Sequence, residues 1–219
     1  LILGGGGLLG AYTAGVTAEL GRALGPDYFE KVHASSVGVF MGAFYVSNQP
    51  EVIEQTWRNH VDETKLVEPS FSNFLKRNAM KLEYLERIFQ EDVSQLDLDA
   101  AFSREGRLSF VLTDLKTGSP VYHAPDRTDI FRAMSASCSW PGMRKAIALN
   151  GAHYLDGCIS DPLPVARALN GKDSRVCVVS NFSPGFSCDA VNRGAYSELW
   201  GIPVAVFGMI GFGVMAFLA

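Results

Sequence analysis

The sequence predicts an α/β fold. Short apolar runs closed by small residues alternate with stretches of helical hydrophobic period from the first residue to about residue 180. A glycine loop and a serine turn each lie between an apolar run and a helical stretch, the strand-turn-helix order of that class. With 219 residues, 47% of them hydrophobic and 19% charged, the chain fills one domain of this class and is far from a disordered composition. Mean hydropathy is +0.11, on the apolar side for a soluble protein, so contact with lipid is expected as well as folding. A net charge of -4 removes the basic footprint of a nucleic-acid binder.

In chain order, Leu1 to Leu3 reads as a strand running into Gly4-Gly5-Gly6-Gly7-Leu8-Leu9-Gly10. Ala11 to Leu24 is a helix rich in small residues, stopped by Gly25-Pro26, and Phe29 to Ala34 is the second strand. Val37 to Val46 is the second helix, which ends ahead of Pro50. From about 51 to 106 the chain turns polar and helical, a helical insertion over the sheet. Its aromatics Trp57, Phe71, Phe74, Tyr84 and Phe89 suit packing, and its cations Lys76, Arg77 and Lys81 suit a solvated face. Leu108 to Thr113 and Pro120 to His123 form a hairpin around Asp114 and Gly118. A helix follows over Asp129 to Ser137, then a loop at Trp140-Pro141-Gly142 and a strand at His153 to Leu155 that delivers Asp156-Gly157. A short helix at Val165 to Leu169 and a buried strand at Val176 to Ser180 complete the order.

Four cysteines without a CxxC pair suit buried thiols in a reducing, intracellular compartment. Nothing at the amino terminus has the form of an export signal, and the absence of an initiator Met suits a fragment.

Three groups carry chemistry. In Val32-His33-Ala34-Ser35-Ser36-Val37-Gly38 a serine stands on a tight turn between strand and helix, as in a nucleophile elbow. Residues two before and two after such a serine need to be small. Ala34 and Gly38 meet that need around Ser36, whereas His33 and Val37 would flank Ser35, so Ser36 is selected. The bland use of either serine is a helix cap. The glycine loop suits an anion, because successive N–H groups near a helix start can share one concavity. Gly5, Gly7 and Gly10 fit a dinucleotide fingerprint, but that reading needs an acid at the end of the second strand, where the chain has Ala34-Ser35-Ser36. An oxyanion hole is the better reading.

For the base, four histidines compete with Asp156. His153 lies three residues before Asp156 along a strand and so faces the other way. His33, His60 and His123 are read as structural or surface residues.

Together the G-G-G-x-x-G loop, the serine elbow, T-D-L-K-T-G, M-S-A-S-C-S-W-P-G and Y-L-D-G-C-I-S-D-P-L-P-V resemble the patatin-like phospholipases over about residues 1 to 182. The resemblance implies a three-layer α/β fold with a central, mostly parallel sheet flanked by helices. It implies a lipid acyl hydrolase with a Ser-Asp dyad. Ser36 matches the nucleophile, Asp156 the base, and Gly5, Gly6 and Gly7 the oxyanion glycines. No metal or other cofactor is implied, and the partners are a lipid ester substrate and a membrane surface.

Three positions depart from the pattern: Leu9 replaces a basic residue, Ala34 the elbow's first glycine, and Cys158 the second glycine of D-G-G. The alternatives are a catalytically weakened lipid-binding homologue and a Rossmann-like nucleotide-binding module. The expected organisation is an acyl hydrolase domain over 1–198 followed by an apolar segment, 199–219, long enough to anchor in a membrane.

Overall fold

The structure is a computed structural model and describes residues 1–60, 84, 87–88, 95–169, 175–181, 198–199 and 202–203. The chain divides into two units, Leu1–Asn181 and Phe182–Ala219.

In the first unit β1 (Ile2–Leu3) passes through a single 3-10 turn at Gly7–Leu9 into α1 (Gly10–Leu24). β2 (Val32–Ser35) leads into α2 (Gly38–Val46), and α3 (Pro50–Gln55) and α4 (Leu98–Ala101) follow. β3 (Leu108–Asp114) and β4 (Pro120–His123) form the expected hairpin, and α5 covers Ile130–Ser137. β5 (Ile147–Leu149), β6 (Ala152–Asp156), α6 (Val165–Ala168) and β7 (Val178–Val179) close the series.

These strands make one mixed sheet, ordered β5-β6-β3-β2-β1-β7 with β4 also on β3. β7, β1, β2 and β3 run parallel, as expected of short apolar strands joined by helices. The pairings of β3 with β4, β3 with β6 and β5 with β6 are antiparallel.

Helices lie on both faces. Leu3, Ala34 and Phe110 share one face by register, and α2 covers it: a Cβ at Gly42 would lie 3.3 Å from Val32 and 3.5 Å from Ala34. Every residue of α2 is buried, which explains why its sequence is apolar all round rather than striped. On the opposite face, which carries His33, Ser35, Val111 and Tyr122, Arg167 of α6 stacks over the Tyr122 ring at 5.2 Å. The most deeply buried large side chains, among them Phe40, Phe44, Phe110 and Ile130, form the core around α2, β3 and α5.

Register on β3 decides where the strand ends meet. β4 pairs with Phe110 to Thr113 along one edge. β2 pairs with Leu108 to Val111, and β6 with Leu112 to Asp114. A strand has only two edges, so β2 and β6 share the second one end to end. β2 runs parallel to β3 and β6 antiparallel, so their carboxyl ends, Ser35 and Asp156, arrive side by side opposite Val111 and Leu112.

Most element boundaries fall within a few residues of the sequence reading. β5 was not anticipated, although Asn150 and Gly151, with φ of 49° and 82°, form the left-handed pair that closes a tight hairpin. Of the polar stretch 51–106, α3, the π-helical turn Thr56–His60 and α4 are described. Trp57 packs beside α1, since a Cβ at Gly10 would lie 2.6 Å from its ring. Phe71, Phe74, Phe89, Lys76, Arg77 and Lys81 lie outside the described residues. So does most of 199–219, of which Leu199 and Ile202–Pro203 fall in a short antiparallel strand pair with Glu198. Among the described residues no helix is long and apolar enough to cross a membrane.

The join between β2 and β6 leaves no room for a side chain at Gly157, where a Cβ would lie 2.1 Å from the Val111 carbonyl oxygen. Gly157→Ala is therefore expected to destabilise the fold by about 1–3 kcal/mol through forced overpacking. Urea unfolding of the variant and the parent chain reads this out directly.

Candidate active site

The β1 ladder ends with the Gly4 amide donating to the Val179 carbonyl at 2.9 Å, and the first turn of the next segment begins with the Leu9 amide donating to Gly6. The amides of Gly5, Gly6 and Gly7 fall between these two ladders. Gly6 and Gly7 have φ of 150° and 57°, values that a side chain makes costly, so glycine is required there. Gly5 is required for space instead: a Cβ on it would lie 2.6 Å from the Ser36 Cβ. The loop is thus pressed against the serine turn.

Ser36 is the first residue beyond β2 and holds φ 51°, a left-handed conformation uncommon outside glycine. The turn is fixed from both sides. The Ser36 amide donates to Ser137 Oγ at 2.9 Å, that hydroxyl donates to the Val111 carbonyl at 2.8 Å, and the Ser36 carbonyl accepts the first α2 bond from Val39. Gly38 is needed because a Cβ would meet the Leu3 and Gly4 carbonyl oxygens at 2.6 and 2.9 Å. The end of β1 thus crowds the turn. Ser35 stays in β2, with its Oγ 3.2 Å from Cys158 Sγ in a hydrogen bond that either group can donate.

Ser36 Oγ donates to Asp156 Oδ2 at 2.8 Å. The other carboxylate oxygen, Oδ1, accepts the Cys158 amide at 2.9 Å, and the Asp156 amide is held by the Ser139 carbonyl. Asp156 is 2% exposed. Burial pushes its carboxyl up to about 6, against the opposing pull of the bonds from Cys158 and Ser36.

The structure brings Gly5, Ser36 and Asp156 together and leaves His33, His123 and His153 out. His153 is exposed on β6, and His123 pairs with Asp129 at 2.8 Å. His33 is buried, and burial first, then the amino-terminal ammonium and the cations Arg167 and Lys31, drive its imidazole down to about 4. It borders a cavity of about 1160 Å³ that also touches Lys31, Gly106 and Leu108 at the amino ends of the strands. Neither Ser36 nor Asp156 lines that cavity.

Residue-level reading missed Ser137, Ser139 and Asn181. The first two lie within the M-S-A-S-C-S-W-P-G block, which could have pointed to them. Asn181, just beyond β7, donates to the Gly5 carbonyl at 3.0 Å and accepts from Thr13 Oγ1 at 3.0 Å. Only the fold brings it there.

The model for patatin-like phospholipases matches residues 1–169. The chain belongs to the patatin-like phospholipase family. Residues 163–219 match the vitamin K epoxide reductase family model, which covers about a quarter of the chain. Among curated proteins the uncharacterized protein YjjU of Escherichia coli strain K12 is 29% identical over 174 residues, 77% of this chain and 47% of that protein. The chain therefore spans about half the length of this relative. VipD from Legionella pneumophila superposes on 73% of the chain and 46% of its own length, with TM-score 0.49 and 16% identity. Family membership and the mixed seven-stranded sheet agree on an α/β fold of the patatin type.

A raised carboxyl costs folding stability where it is ionised. Below the ordinary value of 3.8 Asp156 is protonated in both the folded and the unfolded chain, and the penalty is absent. Above about 6 it is ionised in both, and the full penalty, on the order of 3 kcal/mol, applies. Asp156→Asn stays neutral throughout. Its stability relative to the parent is expected to improve by that order between pH 4 and pH 7, as measured by denaturant midpoints at each pH; a flat difference would contradict the raised value.

Proposed function

We propose that the protein cleaves carboxylic ester bonds of phospholipids or other acyl lipids, with Ser36 as nucleophile and Asp156 as general base. The carrying observation is the 2.8 Å bond from Ser36 Oγ to Asp156 Oδ2 on a left-handed turn beside the glycine loop. Ser36 Oγ attacks the ester carbonyl carbon while its proton passes to Asp156. The carbonyl oxygen takes up the negative charge, and the Gly5, Gly6 and Gly7 amides receive it. As the tetrahedral intermediate collapses, the ester C–O bond breaks and Asp156 returns the proton to the leaving alcohol, which leaves an acyl-Ser36. Water, deprotonated by Asp156, then attacks the acyl carbon, the acyl–Oγ bond breaks, and Asp156 returns the proton to Ser36 Oγ as the fatty acid leaves.

A carboxylate suits this role only if its affinity for protons is high enough to take one from serine. Burial supplies that shift without a histidine. Cys158 and Ser139 hold Asp156 from the side away from Ser36, so the dyad needs no third member to orient it.

An apolar substrate is supported by the surroundings of the site. Leu9 follows the glycine loop, Tyr12 lies in the first turn of α1, Trp140 adjoins Ser139, and Ile159 follows Asp156; all four are exposed. Such side chains suit a lipid surface better than water. The apolar run 199–219 would hold the site near such a surface.

The experiment is labelling with a fluorophosphonate, followed by a panel of phospholipid, monoglyceride and short-chain esters. Wild type is expected to label and hydrolyse, and Ser36→Ala to do neither. Lipid binding without labelling would favour a weakened, non-catalytic homologue. Because the base works only when ionised, kcat/KM is expected to fall tenfold per pH unit below about 6. Asp156→Asn is expected to lose at least about a thousandfold in kcat.

A further inference from the structure

We propose that Cys158 is a positioning residue whose side chain wedges the glycine loop against the serine turn and so sets the distance from the loop amides to Ser36. The inference rests on the reading of that loop as the oxyanion hole.

Cys158 meets all three segments that build the site. Its amide donates to Asp156 Oδ1 at 2.9 Å, after β6. Its sulfur lies 3.2 Å from Ser35 Oγ, at the end of β2. A Cβ built on Gly5 would lie 2.5 Å from that sulfur and 2.6 Å from the Ser36 Cβ, so one face of Gly5 rests against both the thiol and the Ser36 methylene. The segment after β1 has no strand partner at this point, because its ladder ends at Gly4. A side chain packed on the face of Gly5 that meets the serine turn therefore fixes what backbone pairing leaves free.

The chemistry of a thiol fits the position. Burial pushes the Cys158 thiol up to about 11 and the Asp156 carboxylate adds to that rise, while hydrogen bonds from Ser35 and the Gly5 amide pull the other way. It stays protonated and uncharged at neutral pH, able to sit beside Asp156 without repulsion and to share a hydrogen with Ser35. The family pattern has a glycine at this position, which offers no such wedge. Asn181 holds the Gly5 carbonyl at 3.0 Å, so the peptide is gripped at its oxygen by Asn181 and at its Cα by the thiol. A loop held at both points presents its amides in one orientation, the condition under which donors stabilise a transition state without reorganising.

The test compares the full chain with Cys158→Ala, Cys158→Gly and Cys158→Ser. The readouts are kcat and KM on a p-nitrophenyl ester, the limiting rate of fluorophosphonate inactivation, and the thermal midpoint. Misplaced donors weaken the transition state more than the ground state, so Ala and Gly are expected to lower kcat and the inactivation rate about tenfold to a hundredfold with KM within about twofold. Serine keeps a hydrogen-bonding group facing Ser35 and is expected to recover most of that loss. Wild-type rates in the Ala and Gly variants would overturn the inference. So would a loss that Ser fails to recover, or one matched by a fall in thermal midpoint. Should Cys158→Gly not fold, the Ala and Ser pair carries the comparison. Hydrolysis retained by Ser36→Ala would instead remove the reading of the site itself, whereas a labelled wild type with unaffected Cys158 variants would remove only the wedge.

Discussion

The site depends on the end-to-end meeting of two strands along one edge of β3. β2 climbs that edge and stops at Ser35; β6 descends it and stops at Asp156. Neither strand can be lengthened without displacing the other. The junction is closed by the Ser36 to Asp156 hydrogen bond, and the Thr113 hydroxyl donates to the Asp156 carbonyl at 2.7 Å. A single bond of this kind contributes about 1 kcal/mol net. Its position is set by the ladders on either side, which is why two residues 120 apart in sequence can be held within bonding distance.

That junction is crowded, and small residues are what make it possible. Gly157 lies against Val111, Gly38 against Leu3 and Gly4, and Gly5 against Ser36 and Cys158. Each is a place where backbone approaches backbone or the serine turn more closely than a side chain would permit. The same crowding excludes water from the Asp156 carboxyl and raises its affinity for protons. Packing and reactivity therefore have one cause. A looser junction would be easier to fold and would leave the carboxylate solvated and weakly basic.

The electrostatic consequence separates Asp156 from the buried histidine on the same sheet. Burial favours the neutral form of both, but neutral Asp is the acid and neutral His is the base. His33 is driven down to about 4 and loses its imidazolium, while Asp156 rises to about 6 and gains proton affinity. Of the two, only Asp156 stands at the carboxyl end of its strand, beside the serine.

Much of this protein was legible in the sequence. Hydrophobic period and glycine placement located β1, α1, β2, α2, the β3–β4 hairpin and α5, because these elements are built from local preferences that their own residues express. The preference for Ser36 over Ser35 rested on the size of its neighbours and the exclusion of His153 on strand alternation, and the motif order pointed to the family that the 1–169 match shows. Three things were decided only by tertiary structure. The antiparallel end of the sheet, with β5 and the β6 pairing to β3, depends on register, which no single strand encodes. Ser137, Ser139 and Asn181 reach Ser36, Asp156 and Gly5 only through the fold, although the first two stand in a motif block of the sequence. The sulfur of Cys158 reads in the chain as one small residue in place of another; its contact with Gly5 exists because β1 and β6, more than 140 residues apart, end beside the same turn. Local sequence fixes conformation within an element, but the distance between two strand ends is a property of the sheet that carries them both.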